Sequence, residues 1–296
     1  MKLEDIVIIG AGPAGIAAGI QLKRYGLKPV IIEKNEIGGL LKNANSVENY
    51  PGFPDSISGS DLTAYFRKQL ENNSLAVYFE EATNLDFRQG IFIIETSKRS
   101  ISSRIVLIGS GTKPVEFSDF RLSEEIKAKV FYEIYPLLNM KDKRFVIMGA
   151  GDAAFDYALN LSRYNNVVIL NRGENEKCLP LLKERAKQAN NIKYYMQTTI
   201  IKITVVSKQK LFIECNNPNG VLKLETHFLI FAIGRKPQLD FLSEGLRNNY
   251  KELEQKGLLY FIGDVKNDIY RQTAIAAGDG IKAAMKIRRK LRVITR

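Results

Sequence analysis

Short apolar runs of strand length and stretches of helical periodicity follow one another twice along this chain in the same order. The first set runs Ile6-Val7-Ile8-Ile9, then Gly15-Ile16-Ala17-Ala18-Gly19-Ile20-Gln21-Leu22, then Pro29-Val30-Ile31-Ile32. The second runs Arg144-Phe145-Val146-Ile147-Met148, then Phe155-Asp156-Tyr157-Ala158-Leu159-Asn160-Leu161, then Val167-Val168-Ile169-Leu170. Continuous apolar runs bounded by turn residues predict buried strands, and the intervening periodicity predicts helices. Each set is therefore expected to be a strand, helix, strand unit of an α/β protein.

Between the first strand and helix of each set lies a glycine turn. The first is Gly10-Ala11-Gly12-Pro13-Ala14-Gly15, and the second, about 140 residues on, is Gly149-Ala150-Gly151-Asp152-Ala153-Ala154. In such a turn the first glycine permits the tight bend and the second lets backbone approach a pyrophosphate. The third position lets helix and strand pack closely, and the helix N-terminus then faces the phosphates with its dipole. The first unit's second strand ends at Glu33, about 20 residues past the motif, where an acidic side chain can accept from ribose hydroxyls. The second unit's strand ends instead in Asn171-Arg172-Gly173, with Lys177 five residues after Arg172. A basic residue there suits a 2′-phosphate, which favours NADP(H) over NAD(H); the alternative is that Arg172 and Lys177 are solvated loop charges. Two dinucleotide units in one chain imply electron transfer between two dinucleotides, a flavin and a nicotinamide.

Length and composition narrow the picture. The chain has 296 residues, enough for two domains, and is 45% hydrophobic and 26% charged, as a globular protein is. No apolar run approaches a membrane span, and the first strand begins almost at once, so a cytoplasmic location is the expectation. The two cysteines, Cys178 and Cys215, are far apart and form no C-x-x-C, so free thiols are expected rather than a disulphide framework or a metal site. The single histidine, His227, precedes Phe228-Leu229-Ile230-Phe231 and is expected to be a satisfied strand-entry residue. The net charge of +12 favours acidic partners. Part of it lies in Lys282, Lys286, Arg288, Arg289, Lys290, Arg292 and Arg296, either a solvated helix face or a dock for an acidic electron-transfer protein. No nucleic-acid-binding motif accompanies the charge.

Further stretches carry a family resemblance. They are Gly38-Gly39-Leu40-Leu41, Val47-Glu48-Asn49-Tyr50-Pro51-Gly52-Phe53-Pro54, Gly109-Ser110-Gly111-Thr112, Ala232-Ile233-Gly234-Arg235-Lys236-Pro237, and Gly263-Asp264-Val265 followed by Tyr270-Arg271-Gln272-Thr273-Ala274. From about Ile6 to about Ala284 the chain resembles the low-molecular-weight thioredoxin reductases and their relatives, the thioredoxin-reductase-like ferredoxin–NADP reductases. The resemblance implies an α/β fold of two Rossmann-like dinucleotide-binding domains, the NAD(P) domain inserted into the FAD domain. It places FAD on residues 1–113 and 238–296, NAD(P) on 114–237, hinges near Thr112-Lys113-Pro114 and Gly234-Arg235-Lys236-Pro237, and implies a homodimer.

By the same resemblance, FAD is expected on Gly10, Gly12, Pro13, Ala14, Gly15, Glu33 and Lys34, with Gly38, Gly39, Leu40 and Asn49 along the isoalloxazine and Gly111 and Thr112 nearby. Gly263 and Asp264 would serve the ribityl or pyrophosphate region. The N–H groups around Gln272, Thr273 and Ala274 would reach the flavin carbonyl and N1 edge. NAD(P) is expected on Gly149, Gly151, Asp152, Ala153, Ala154, Asn171, Arg172, Lys177, Ile233, Gly234 and Arg235.

One departure bears on function. Thioredoxin reductases carry a C-x-x-C upstream of the second glycine turn; counted back from Gly149, those positions fall on Tyr132 and Tyr135. A phenol cannot form a disulphide, so the usual relay to thioredoxin is disfavoured. Tyr132 or Tyr135 is expected either to stack near the flavin or to pack in a core. Asp152 brings the second motif closer to the ferredoxin–NADP reductase form, whereas Tyr270-Arg271-Gln272 looks like the thioredoxin reductases. The expected function is an FAD-dependent NAD(P)H oxidoreductase passing electrons to a carrier such as ferredoxin or flavodoxin. The alternatives are a small acceptor (oxygen, a quinone or a small disulphide), or a flavin-binding sensor or complex subunit without turnover.

Overall fold

The structure, a computed structural model, describes residues 3–207 and 209–294. It divides into two compact units. The first comprises Met1–Lys42, Val47–Lys113 and Lys236–Arg296; the second comprises Pro114–Arg235 together with Asn43–Ser46.

In the first unit the strand Leu3–Ile9 lies between Val30–Glu33 and Ser100–Ile108, all parallel, with Val77–Phe79 on the outer side of Val30–Glu33. The long strand Ser100–Ile108 does three things: from Ser102 to Ile108 it pairs in parallel with Leu3–Ile9, its end pairs in parallel with Leu259–Phe261, and its first half pairs antiparallel with Ile91–Thr96. Ile91–Thr96 in turn pairs antiparallel with Ala82–Arg88. The run Ile6–Ile9 and the strand Val30–Glu33 are buried throughout, as strands covered on both faces must be. The helix after the first glycine turn spans Pro13–Arg24, with proline supplying a φ suited to the first helical position. The last helix, Thr273–Ile294, opens immediately after Tyr270-Arg271-Gln272. Of the C-terminal basic run, Arg296 and the side chain of Arg292 lie outside the described residues.

The second unit has a five-stranded parallel sheet in the order Ile192–Tyr195, Asn166–Leu170, Arg144–Met148, Phe228–Phe231, Val130–Phe131. A three-stranded antiparallel sheet, Thr199–Ser207, Lys210–Asn217 and Gly220–Thr226, supplies a second layer. Its middle strand buries Leu211, Ile213 and Cys215 on alternate positions against Val146, Met148, Leu229 and Phe231. The helix after the second glycine turn spans Asp152–Leu161 and packs Phe155, Ala158 and Leu161 on the parallel sheet.

These limits differ from the sequence expectation of 114–237 at two places. Lys236 and Pro237 belong with the first unit, while Asn43–Ser46 belongs with the second. The physical reason is hydrogen bonding. The buried Asn43 amide oxygen accepts from the N–H groups of Ile134 (3.0 Å) and Tyr135 (2.8 Å), and Asn45 donates its N–H to Asp156 at 2.9 Å. No local pattern announces contacts made 90 residues away.

Candidate functional site

The two glycine turns are built alike. Gly10 has φ +105°, and a Cβ there would lie 2.3 Å from the carbonyl oxygen of Gly109. Gly15 faces back along the turn: a Cβ would fall 1.9 Å from the Gly10 oxygen. Gly12, between them, opens on clear space, with nothing within 4 Å of a built Cβ. In the second unit a Cβ on Gly149 would lie 2.3 Å from the Ala232 oxygen, whereas Gly151 opens on clear space. Ala154, at the third motif position, is fully buried. Gly12 and Gly151 N-cap their helices without a side-chain hydrogen bond, whereas Ser58, Ser123 and Ser243 each cap theirs. Both turns thus present first-turn N–H groups, with no side-chain cap, beside a glycine surface that admits close approach. That combination fits a pyrophosphate.

Against the first turn the fold brings Glu33, Gly38, Gly39 and Gly263. Glu33 is buried at its strand end, where Oε2 accepts from Ala11 N–H (2.8 Å) and Oε1 from Asn35 N–H (2.9 Å). Its carboxylate braces the turn; Lys34 beside it is exposed. Gly38 donates its N–H to Ala11 O at 2.8 Å, and a Cβ on Gly39, which opens the short turn Gly39–Asn43 holding Leu40, would lie 3.6 Å from Gly12 Cα. The short turn Gly263–Val265, which carries Asp264, comes so close that a Cβ on Gly263 would meet Ala14 Cβ at 2.9 Å. Gly111 and Thr112 lie where the chain leaves this unit, with Gly111 O accepting from Gln238 N–H at 3.1 Å. Asn49 and Gln272, 223 residues apart, meet through a 2.8 Å hydrogen bond from Nδ2 to Oε1, just ahead of Thr273 and Ala274. Replacing Glu33 by alanine is expected to leave the buried Ala11 N–H unpaired and to destabilise the first unit by about 1–3 kcal/mol. Urea unfolding of the purified protein checks this, and an unchanged midpoint would remove Glu33 from the bracing role.

Sequence reading missed three contributors here. Gly280, in the last helix, would place a Cβ 2.1 Å from Ala14 O, so glycine alone lets the two helices touch at this level. Asp279 accepts from Gly263 N–H (3.2 Å) and Asn267 Nδ2 (2.6 Å) and pairs with Lys266 (3.2 Å), fixing the turn that carries Asp264. Thr63 packs its side chain where a Cβ on Gly38 would stand. The signal was present for Gly280: glycines at 278 and 280 inside a helix are costly unless packing requires one.

In the second unit the loop after Leu170 folds back over the glycine turn. Lys177 N–H donates to Ala150 O at 2.8 Å, and Asp152 Oδ1 accepts from Leu179 N–H at 2.7 Å. Asn171 is buried within that loop: Nδ2 donates to Asn175 O and to the Tyr194 hydroxyl, and Oδ1 accepts from Gly173 N–H. Its amide shapes the loop, while Arg172 and Lys177 are exposed, with Arg172 Nη1 3.6 Å from Asp119 Oδ2. Ala153 is exposed on the first helical turn. Ile233 packs against the antiparallel-sheet core, Gly234 (φ +125°) accepts from Val115 N–H, and Arg235 pairs with Glu133 at 3.2 Å.

Tyr132 and Tyr135, where the resemblance would expect a dithiol, are also in this unit. Tyr132 is half-buried; its hydroxyl accepts from Phe117 N–H at 3.1 Å and its ring lies 5.9 Å from that of Phe231. Tyr132 packs against the core under the antiparallel sheet. Tyr135 is 37% exposed and begins the turn Tyr135–Leu137. Cys178 and Cys215 are both unpaired; burial pushes the Cys178 thiol up, and that of Cys215 up to about 11. Neither is a thiolate at neutral pH. His227 Nδ1 accepts from Arg144 N–H at 3.0 Å, a strand-entry bond. No helix among the described residues is long and apolar enough to cross a membrane.

Residues 4–280 match the pyridine nucleotide-disulphide oxidoreductase family. The chain belongs to that family. A thioredoxin reductase of Borreliella burgdorferi is 28% identical over 96% of this chain and 91% of its own length. The crystal structure of T. acidophilum thioredoxin reductase superposes with a TM-score of 0.83 at 28% identity, covering 98% of this chain and 99% of that one. A bacillithiol disulphide reductase of Staphylococcus aureus shares the fold, with a TM-score of 0.70 at 20% identity over 98% and 99% of the two chains. This oxidoreductase therefore has the α/β fold with Rossmann-like FAD and NAD(P) domains.

Proposed function

We propose that this oxidoreductase takes electrons from NAD(P)H through FAD and delivers them directly to an external acceptor, with no dithiol of its own in between. The carrying observation is the thiol chemistry: the only cysteines are 37 positions apart, unpaired, and pushed up by burial, and the positions of the family dithiol are phenols. Bound FAD supplies two-electron acceptance from a nicotinamide and release of those electrons to an acceptor.

The chain's part is binding and orientation. Gly10, Gly12, Pro13, Ala14 and Gly15 receive the FAD pyrophosphate, with Glu33 and Lys34 at its ribose. Gly38, Gly39, Leu40, Asn49, Gly111 and Thr112 line the ring side, and Gly263 and Asp264 the ribityl side. The helix start at Gln272, Thr273 and Ala274 lends N–H dipoles to an edge that gathers negative charge on reduction, and the Asn49–Gln272 hydrogen bond supports that start. In the second unit Gly149, Gly151, Asp152, Ala153 and Ala154 receive the nicotinamide nucleotide. Asn171, Arg172 and Lys177 stand toward its adenosine end, Ile233, Gly234 and Arg235 toward the other. NADP(H) is the favoured nucleotide, on Arg172 and Lys177.

The acceptor in this reading is an acidic one-electron carrier such as ferredoxin or flavodoxin, which the net charge of +12 supports. A low-molecular-weight disulphide is the second reading, favoured by the disulphide chemistry of the family. The test is anaerobic flavin reduction by NADPH and NADH, followed by turnover with each acceptor. The double variant C178S/C215A is expected to retain full flavin reduction and carrier turnover. Carrier turnover is also expected to fall several-fold between low and physiological salt, as attraction between complementary patches is screened. Thioredoxin reduction that disappears in the double variant would overturn the dithiol-free reading, and salt-independent turnover would favour the small disulphide. A bound flavin that neither nucleotide bleaches would sink turnover altogether and leave a sensor or subunit.

A further inference from the structure

We propose that Asp119 sets this oxidoreductase's discrimination between NADPH and NADH by competing with the nucleotide's 2′-phosphate for Arg172. The inference rests on reading the second glycine turn as the nicotinamide nucleotide site.

The charges of the loop after Leu170 are mostly spoken for. Asn171 spends its amide inside the loop, Glu176 pairs with Lys183, and Glu174 accepts from Gln197 Nε2 at 3.2 Å. Arg172, the residue directly after the strand-end Asn171, has Asp119 as its ion-pair partner, Nη1 to Oδ2 3.6 Å. Both side chains are about half exposed, at 55% and 45%, so the pair is accessible to a ligand and contributes little to stability.

Asp119 is nonetheless held in place. Its loop is anchored on both sides: Phe117 stacks on Phe231 at 4.4 Å and meets Phe120 edge-on at 4.9 Å, and Leu122 is buried in the same core. Phe117 N–H also donates to the Tyr132 hydroxyl. A phenol at one position of the absent dithiol thus helps fix the loop that carries the carboxylate.

A 2′-phosphate taken by Arg172 would bring its charge alongside that carboxylate. Like charges about 4 Å apart in solvent oppose binding on the order of five-fold at moderate ionic strength. A ribose 2′-hydroxyl carries no charge and does not meet this opposition. Arg172 favours the phosphate and Asp119 opposes it, so the wild-type protein discriminates weakly and Asp119 sets how weakly.

The experiment is calorimetric titration of the full-length flavoprotein with 2′,5′-ADP and with 5′-AMP, which differ only in the 2′-phosphate. D119N is expected to tighten 2′,5′-ADP about five-fold and to leave 5′-AMP unchanged. R172A is expected to weaken 2′,5′-ADP alone, and D119N added to R172A to change nothing further. Unchanged 2′,5′-ADP affinity in D119N, with 5′-AMP still bound, overturns this proposal and leaves the nucleotide site standing. Binding of neither fragment by the wild-type protein overturns both. A D119N shift in a protein whose flavin NADPH does not bleach supports the role of Asp119 and overturns the turnover reading.

Discussion

Replacing Gly280 by alanine is expected to destabilise the first unit by about 1–3 kcal/mol and to yield protein that holds FAD poorly. The added Cβ would stand 2.1 Å from Ala14 O and 2.9 Å from Ala18 N, both backbone atoms of the first fingerprint helix. No rotamer change relieves a collision with backbone, so one helix must shift along its whole length. Ala14 belongs to the glycine turn and a Cβ on Gly263 would meet its Cβ at 2.9 Å, so the shift passes into the surface proposed to receive the pyrophosphate. Gly278 provides a matched comparison, because a Cβ there meets nothing within 4 Å. Gly278→Ala is expected to stabilise the protein by about 0.5–1 kcal/mol, the ordinary gain of alanine over glycine in a helix. The measurements are the ratio of flavin to protein absorbance after purification and the urea midpoint. Equal behaviour of the two variants would show that the helices do not meet at Gly280.

Gly149→Ala is expected to separate the two cofactor functions. Its Cβ would lie 2.3 Å from Ala232 O, on backbone at φ +146°, so the second glycine turn must open away from the neighbouring strand. Displacing a bound nucleotide by about 1 Å costs on the order of 100-fold in transfer rate. Gly149 belongs to a unit with its own sheet and core, so FAD content should stay at the wild-type level. Stopped-flow reduction by NADPH reads the first quantity and the visible spectrum the second. Loss of FAD together with nucleotide reduction would mean that the second turn also supports the flavin domain.

Much of the fold was legible because its signals are local. Ile6–Ile9 is buried on both sides and reads as an unbroken apolar run. Glycine turns announce themselves because only glycine tolerates the φ of Gly10 and the approach of Gly15 to Gly10 O. Glu33 was found by its spacing. What its carboxylate holds in the structure, the Ala11 and Asn35 N–H groups, was not legible. That Cys178 and Cys215 form no C-x-x-C was legible from their spacing, 37 positions apart.

What the chain could not announce is which distant residues meet. Asn43 was given no part, yet its amide oxygen joins Asn43–Ser46 to the second unit. Asp119 is one of many acidic loop residues by sequence; only the stacking of Phe117 on Phe231 brings it beside Arg172. Asn171 was legible as a strand-end residue, but that its amide braces the loop was not. By itself the sequence determined the two nucleotide units, because their turns are dictated by backbone sterics within a few residues. The tertiary structure decided how charge and close packing are shared around them, because those depend on contacts between residues tens to hundreds of positions apart.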